Sequence, residues 1–202
     1  MVITFQFDPR HMATNPENGR VVFRYSDISS VPEWPDGPAV EIIEGDLFMV
    51  PSPSIQHQRI SSRLEMVLNK FLENTPSGEV FHAPVDLVLS DLDVVIPDII
   101  FVTTEHSDII QKKNVQGIPD LIVEILSTDE NRDLVIKKDL YKRYLVPEYW
   151  IVDPEKEMVI VHRSNPEDPD QFDAALEFSG DDILTSNLLP GIEIVPSSLF
   201  KQ

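Results

Sequence analysis

Along residues 57–74, apolar side chains recur at Ile60, Leu64, Val67, Leu68, Phe71 and Leu72. Those spacings of three and four make one apolar stripe and predict a helix over His57–Asn74. Ser54 is placed to cap its start, and Pro76 and Gly78 end it. Ahead of it, Val40–Ile43 and Asp46–Val50 flank Glu44-Gly45, the pattern of a tight β-hairpin, and Pro51-Ser52-Pro53 then breaks the chain. Ser26–Val31 reads as a short helix capped by Ser26 and stopped by Pro32.

Beyond the long helix the period changes. Strands are predicted over Val80–Leu89, Asp98–Thr103 and Asp120–Leu126. The last two are almost continuously apolar, which suits central strands covered on both faces. A second helix is predicted over Asp129–Leu145, then strands at Tyr149–Val152, with Tyr149 and Trp150 in the core, and at Met158–His162. Residues 164–173 read as a polar loop, Gly191–Val195 as a short strand, and the tail as a helical turn capped by Ser197. This order gives a mixed sheet flanked by helices, an α/β class. Residues 1–25 are expected to be an N-terminal arm, and 26–202 a single domain.

Composition narrows the chemistry. The 202 residues contain no cysteine, which removes disulfides, thiolate metal sites and a cysteine nucleophile. No apolar run approaches the roughly 20 residues of a membrane span. MVITFQFDPR lacks the pattern of a secretory signal, so the cytoplasm is the expected location. The formal charge is −19, which argues against broad, charge-driven binding to nucleic acid. Against that background, Ser127–Tyr144 carries Arg132, Lys137, Lys138, Lys142 and Arg143 against four acids. That local balance suits a narrow phosphate contact.

Two acids sit where acids are costly. Asp98 opens the strand DIIFV directly after Pro97, and Glu124 lies inside LIVEIL. A carboxylate in a covered strand needs an ion partner or a metal. Adjacent strands carrying both acids could offer oxygen ligands to one Mg2+; alternatively, each acid caps a strand end or pairs with a lysine. At about 100° per residue, Asp133 falls about 40° to one side of Lys137 and Tyr141 about 40° to the other. Lys137 thus centres a mostly apolar helix face, whereas Lys138 is turned about 100° away. Lys137 either snorkels to the surface or points at the two acids. Two carboxylates and a lysine around a divalent ion make a phosphodiester-hydrolysing site, and a tyrosine such as Tyr141 could hold either group. Glu44, at the hairpin turn, is either a further acid of the site or a turn residue. His57 either contacts phosphate or assists proton transfer, or has a plain capping role.

The string from Gly117 to Pro154, GIPDLIVEILSTDENRDLVIKKDLYKRYLVPEYWIVDP, resembles the Uma-two family of restriction-endonuclease-like proteins. That family shows a GxPDLxxE strand, an Asp-x3-Lys-x3-Tyr helix, matched by Asp133, Lys137 and Tyr141, and a PEYWxVDP strand. VEIIEGDLFMVPSPSIQHQ and LLPGIEI are similar to its opening and closing segments, so the resemblance covers roughly residues 26–200. Pro97-Asp98 with Glu124-Ile125-Leu126 is similar to the PD-(D/E)XK nuclease motif, except that Leu126 stands where the motif lysine would be. The resemblance implies the PD-(D/E)XK core fold, with the lysine relocated to Lys137. The resulting expectation is a DNA endonuclease using Mg2+ or Mn2+, acting as a homodimer, with a non-catalytic binding or assembly module of the same fold, or a hydrolase of small phosphodiesters, as the alternatives. Asp98, Glu124, Lys137, Glu44 and Tyr141 would be catalytic, and Asp98, Glu124 and Ile125 the metal ligands.

Overall fold

The computed structural model describes residues 13–14, 19–29, 39–127, 132–165, 168 and 171–201. In chain order its elements are β1 (Ala13–Thr14), β2 (Val21–Val22), α1 (Tyr25–Ser29), β3 (Val40–Ile43), β4 (Asp46–Met49), α2 (Ile55–Asn74), β5 (Gly78–His82), β6 (Leu87–Ser90), β7 (Asp93–Val95) and β8 (Ile99–Thr103). A 3-10 turn, Thr104–Ile109, precedes β9 (Val115–Gln116) and β10 (Leu121–Ile125). A π-helical turn, Arg132–Lys137, runs into α3 (Lys138–Arg143), followed by β11 (Glu148–Asp153), β12 (Met158–Arg163), β13 (Leu176–Ser179) and α4 (Pro196–Phe200). The class is mixed α/β.

The chain divides into two compact units. Unit 1 comprises Met1–Pro51 and Val88–Val95. Its strands run in the order β4-β3-β7-β6, with Ile42 opposite Val94. The β3–β4 hairpin closes through Glu44-Gly45, with Ile43 paired to Asp46. Both loop residues have positive φ, 53° and 77°. That is the mirror-image turn whose twist matches the strands, and Gly45 meets it without a side-chain penalty.

Unit 2 comprises Ser52–Leu87 and Ile96–Gln202. Its six strands run β13-β12-β11-β10-β8-β5; β10 and β11 are parallel and every other neighbour is antiparallel. Alternation along the central strands sorts the side chains into two faces. Ile99 and Phe101 of β8, Leu121, Val123 and Ile125 of β10, and Trp150 and Val152 of β11 join Ile60, Leu64, Leu68 and Leu72 of α2 in the main core. Ile100, Ile122, Glu124, Tyr149 and Ile151 point the other way and are also buried. This double cover explains why β8 and β10 read as unbroken apolar runs.

The structure corrects several boundaries. The strand predicted over Val80–Leu89 is two strands, β5 and β6, because Pro84 has no N–H for a ladder. The turn at the C-terminus starts with Pro196 at its first position, where a missing N–H costs nothing, so Ser197 lies inside α4 rather than capping it. Ser26 likewise sits inside α1. Gly191–Val195 contributes only an isolated bridge, Leu184 with Ile194. β7 and β13 were not expected; both are short, and β13 is a largely exposed edge. The predicted helix over Asp129–Leu145 begins as a π turn at Arg132, and residues 128–131 lie outside the described residues, as does most of the N-terminal arm.

Candidate functional site

The register of β8 and β10 brings the two strand acids together. Val123 pairs with Ile99 at the end of the ladder, so Glu124 follows and Asp98 precedes that last pair; Glu124 points to the face turned away from the main core, and Asp98 lies in the bend that leads into β8. A hydrogen bond ties them: the Ile125 N–H donates to Asp98 Oδ2 at 2.7 Å. The same oxygen lies 3.1 Å from His57 Nε2, in the first turn of α2. That turn begins where Ser54 Oγ accepts the His57 N–H at 3.1 Å, as the sequence predicts.

Glu124 is 3% exposed and Lys137 2% exposed. Lys137 Nζ donates to Glu124 Oε1 at 2.9 Å, and the Tyr141 hydroxyl donates to the same oxygen at 2.6 Å. Lys137 does not snorkel. It closes the π turn, and α3 starts at the next residue. From Lys137 to Tyr141 the i, i+4 spacing sets both groups on one face, against one carboxylate. The π turn changes the winding before Lys137, so the even 100° step does not hold there. Asp133 falls on a side chain outside the described residues. Tyr141 is fixed by an edge-to-face contact with Tyr149, ring centres 4.9 Å apart.

Taking two charges out of water costs several kcal/mol, which only a close partner with further hydrogen bonds offsets. Glu124 has that arrangement. Asp98 is more open, its side chain 14% exposed. Oδ2 takes both contacts described above, and among the described residues Oδ1 has no hydrogen-bond partner. Among the described residues no three His, Asp or Glu side chains converge as a metal-binding group. The donors here are two carboxylates, and Ile125 could add only its main-chain carbonyl. Such a sparse, all-oxygen set fits Mg2+, which keeps several waters.

Glu44 lies in unit 1, at the hairpin turn, with its N–H donating to Asp93 Oδ1 at 2.8 Å. Lys137, and not Lys138, forms the ion pair with Glu124, while the Lys138 charge bears on His162. His162 stacks on Phe172 at 5.4 Å and on Tyr149 at 6.2 Å. Burial, and secondarily the Lys138 charge, push its pKa from 6.5 down to about 4. An unfolded histidine gains its proton near 6.5, while the folded one resists to about 4. Between these values the unfolded state binds more protons, so stability falls as pH falls. His162→Phe should therefore flatten the loss of stability between pH 6.5 and pH 5 in urea unfolding, the wild-type loss over the full window being about 1–3 kcal/mol. An unchanged pH dependence in the variant would assign that loss to other groups.

The sequence missed two contacts. His57 was considered, but its pairing with Asp98 joins residues 41 apart and no spacing reveals it. Glu148, buried at 1% exposure, accepts from Trp150 Nε1 at 2.6 Å. The two are next-but-one along β11 and so share a face, a spacing that marks them as neighbours once the strand is known to start at Glu148.

No curated protein matches the chain. Among solved structures, it is similar to "a putative nuclease belonging to DUF820 from Anabaena variabilis ATCC 29413". The identity is 23%, over 88% of this chain and 97% of that one, with a TM-score of 0.69. That likeness establishes the fold. The type IIG restriction endonuclease BpuSI is 16% identical, with 77% of this chain aligned to 17% of that chain at a TM-score of 0.38. The family model of Uma2 matches residues 28–197, so the chain belongs to that family, described as "Putative restriction endonuclease".

Proposed function

We propose that the protein is a divalent-metal-dependent endonuclease that hydrolyses phosphodiester bonds in DNA at the Asp98–Glu124–Lys137 cluster. The observation that carries this reading is Lys137, a lysine 2% exposed whose ammonium lies 2.9 Å from a strand carboxylate, with a second acid hydrogen-bonded to the next residue of the same strand. A structural ion pair needs no such second acid beside it.

Asp98, Glu124 and the Ile125 carbonyl would hold Mg2+ or Mn2+, which when bound polarises the phosphate and acidifies an attacking water. Lys137 offsets negative charge developing on the phosphoryl oxygens and orients the water. Tyr141 holds the Glu124 carboxylate so that its second oxygen keeps a fixed direction. The basic residues between Lys137 and Arg143 would contact the phosphates beside the scissile bond. Cutting both strands would use two copies of the chain, a homodimer, which sedimentation would reveal. No described helix is long and apolar enough to cross a membrane. The test is a panel of DNA, RNA and small phosphodiester substrates with Mg2+ or Mn2+. Cleavage of small diesters alone would move the reading to a nucleotide hydrolase.

Glu44, a residue of unit 1, enters this proposal through the sequence resemblance alone. A side chain held at φ 53° costs about 1 kcal/mol relative to a residue suited to it, a conformation that the mirror-image turn demands of both loop residues. Glu44→Asn should stabilise the hairpin by roughly 0.5–1 kcal/mol in thermal unfolding while reducing cleavage. A more stable variant with full activity would leave Glu44 as a turn residue only.

A second reading is favoured by one observation: Lys137 and Tyr141 both bind Glu124 Oε1, as in a buried network that stabilises without catalysis. The charge of −19 also suits a non-catalytic binding module. Calorimetry separates the two, since a network gains no stability from added Mg2+ and a metal site does.

A further inference from the structure

Asp98 is held from two sides, and the second hold comes from an element that carries no other part of the site. Its Oδ2 accepts the Ile125 N–H at 2.7 Å from β10 and faces His57 Nε2 at 3.1 Å from α2. An ionised carboxylate only accepts, so Nε2 carries the hydrogen in this contact. His57 is itself well placed to hold a direction. Its side chain is 11% exposed, and its backbone N–H is fixed to Ser54 Oγ at 3.1 Å. Two donors from different elements on one oxygen set both the position and the plane of the carboxylate. Oδ1, with no hydrogen bond among the described residues, is then the oxygen left to face a cation.

We infer that His57 is a positioning residue, whose Nε2–H hydrogen bond to Asp98 Oδ2 orients Asp98 Oδ1 toward a divalent cation. His57 does this without touching the metal or the substrate. The role differs from a phosphate contact and from capping, the two uses open to a histidine at a helix start. The inference rests on the metal-site reading of Asp98 and Glu124. Partners of this kind typically contribute 10–100-fold to metal affinity.

The test measures Mn2+ binding by titration calorimetry, without DNA, on the full chain and on His57→Ala, His57→Asn and His57→Gln. The Gln amide nitrogen reaches the place of Nε2 and can donate to Oδ2, whereas the Asn amide stops near the place of Nδ1. The Ala and Asn variants should lose about 10–100-fold in Mn2+ affinity, and the Gln variant should stay within a few-fold of wild type. Circular dichroism checks the fold of each, and if the Ala variant does not fold, the Gln–Asn contrast decides. Wild-type affinity in the Ala or Asn variant would overturn the role of His57 alone. So would a Gln variant as weak as Ala, because a direct ligand or a packing role would then explain the loss. A wild-type protein that binds no Mn2+ would overturn both this inference and the metal-site reading beneath it.

Discussion

Lys137→Met should abolish most DNA cleavage, by about 100-fold or more, and lower stability by roughly 3 kcal/mol. The two losses have different origins. Methionine fills much of the space of lysine but leaves the Glu124 carboxylate, 3% exposed, with its ammonium partner gone. A buried charge stripped of its partner costs about 3–5 kcal/mol, or Glu124 takes up a proton instead. In a chain of this size that corresponds to a fall in Tm of roughly 6–12 °C. The activity loss follows from the missing positive charge beside the phosphate. A double variant, Lys137→Met with Glu124→Leu, separates them: removing both charges should recover most of the stability and none of the activity. If Lys137→Met cuts DNA like wild type, the ion pair has only a structural role.

The second large effect is expected at Asp98. Asp98→Asn should reduce cleavage by about a thousandfold while leaving the fold intact. Asparagine keeps an oxygen that can accept the Ile125 N–H, so the link between β8 and β10 survives. It loses the negative charge that a cation needs. Mn2+ affinity should fall in parallel with activity, and thermal stability without metal should change by less than about 1 kcal/mol. A variant that unfolds would instead make Asp98 a structural anchor of β8.

These two residues also show how much the chain disclosed before folding. Glu124 stood out because an acid within LIVEIL has no cheap place to go, and the structure buries it between β8 and β11. Lys137 was separable from Lys138 by helix facing, and in the structure it is Lys137 that binds Glu124. The π turn at Arg132–Lys137 was not legible, because the helix is read at an even step of about 100° per residue, which a π turn does not keep. The approach of His57 to Asp98 was hidden for another reason. It depends on where α2 packs across the sheet, which is a property of the core and not of local spacing. Short strands such as β7 and the edge strand β13 carry too few residues for an alternating pattern to declare itself. The split of Val80–Leu89 was readable in principle from Pro84, whose missing N–H forbids a continuous ladder.

The most direct test of the central claim is cleavage of plasmid DNA in Mg2+ or Mn2+ by wild type and Asp98→Asn, purified side by side. The account predicts nicked or linear product from wild type, none with a chelator present, and almost none from the variant. Intact plasmid with wild type in both metals, or equal cutting by the two proteins, would contradict it.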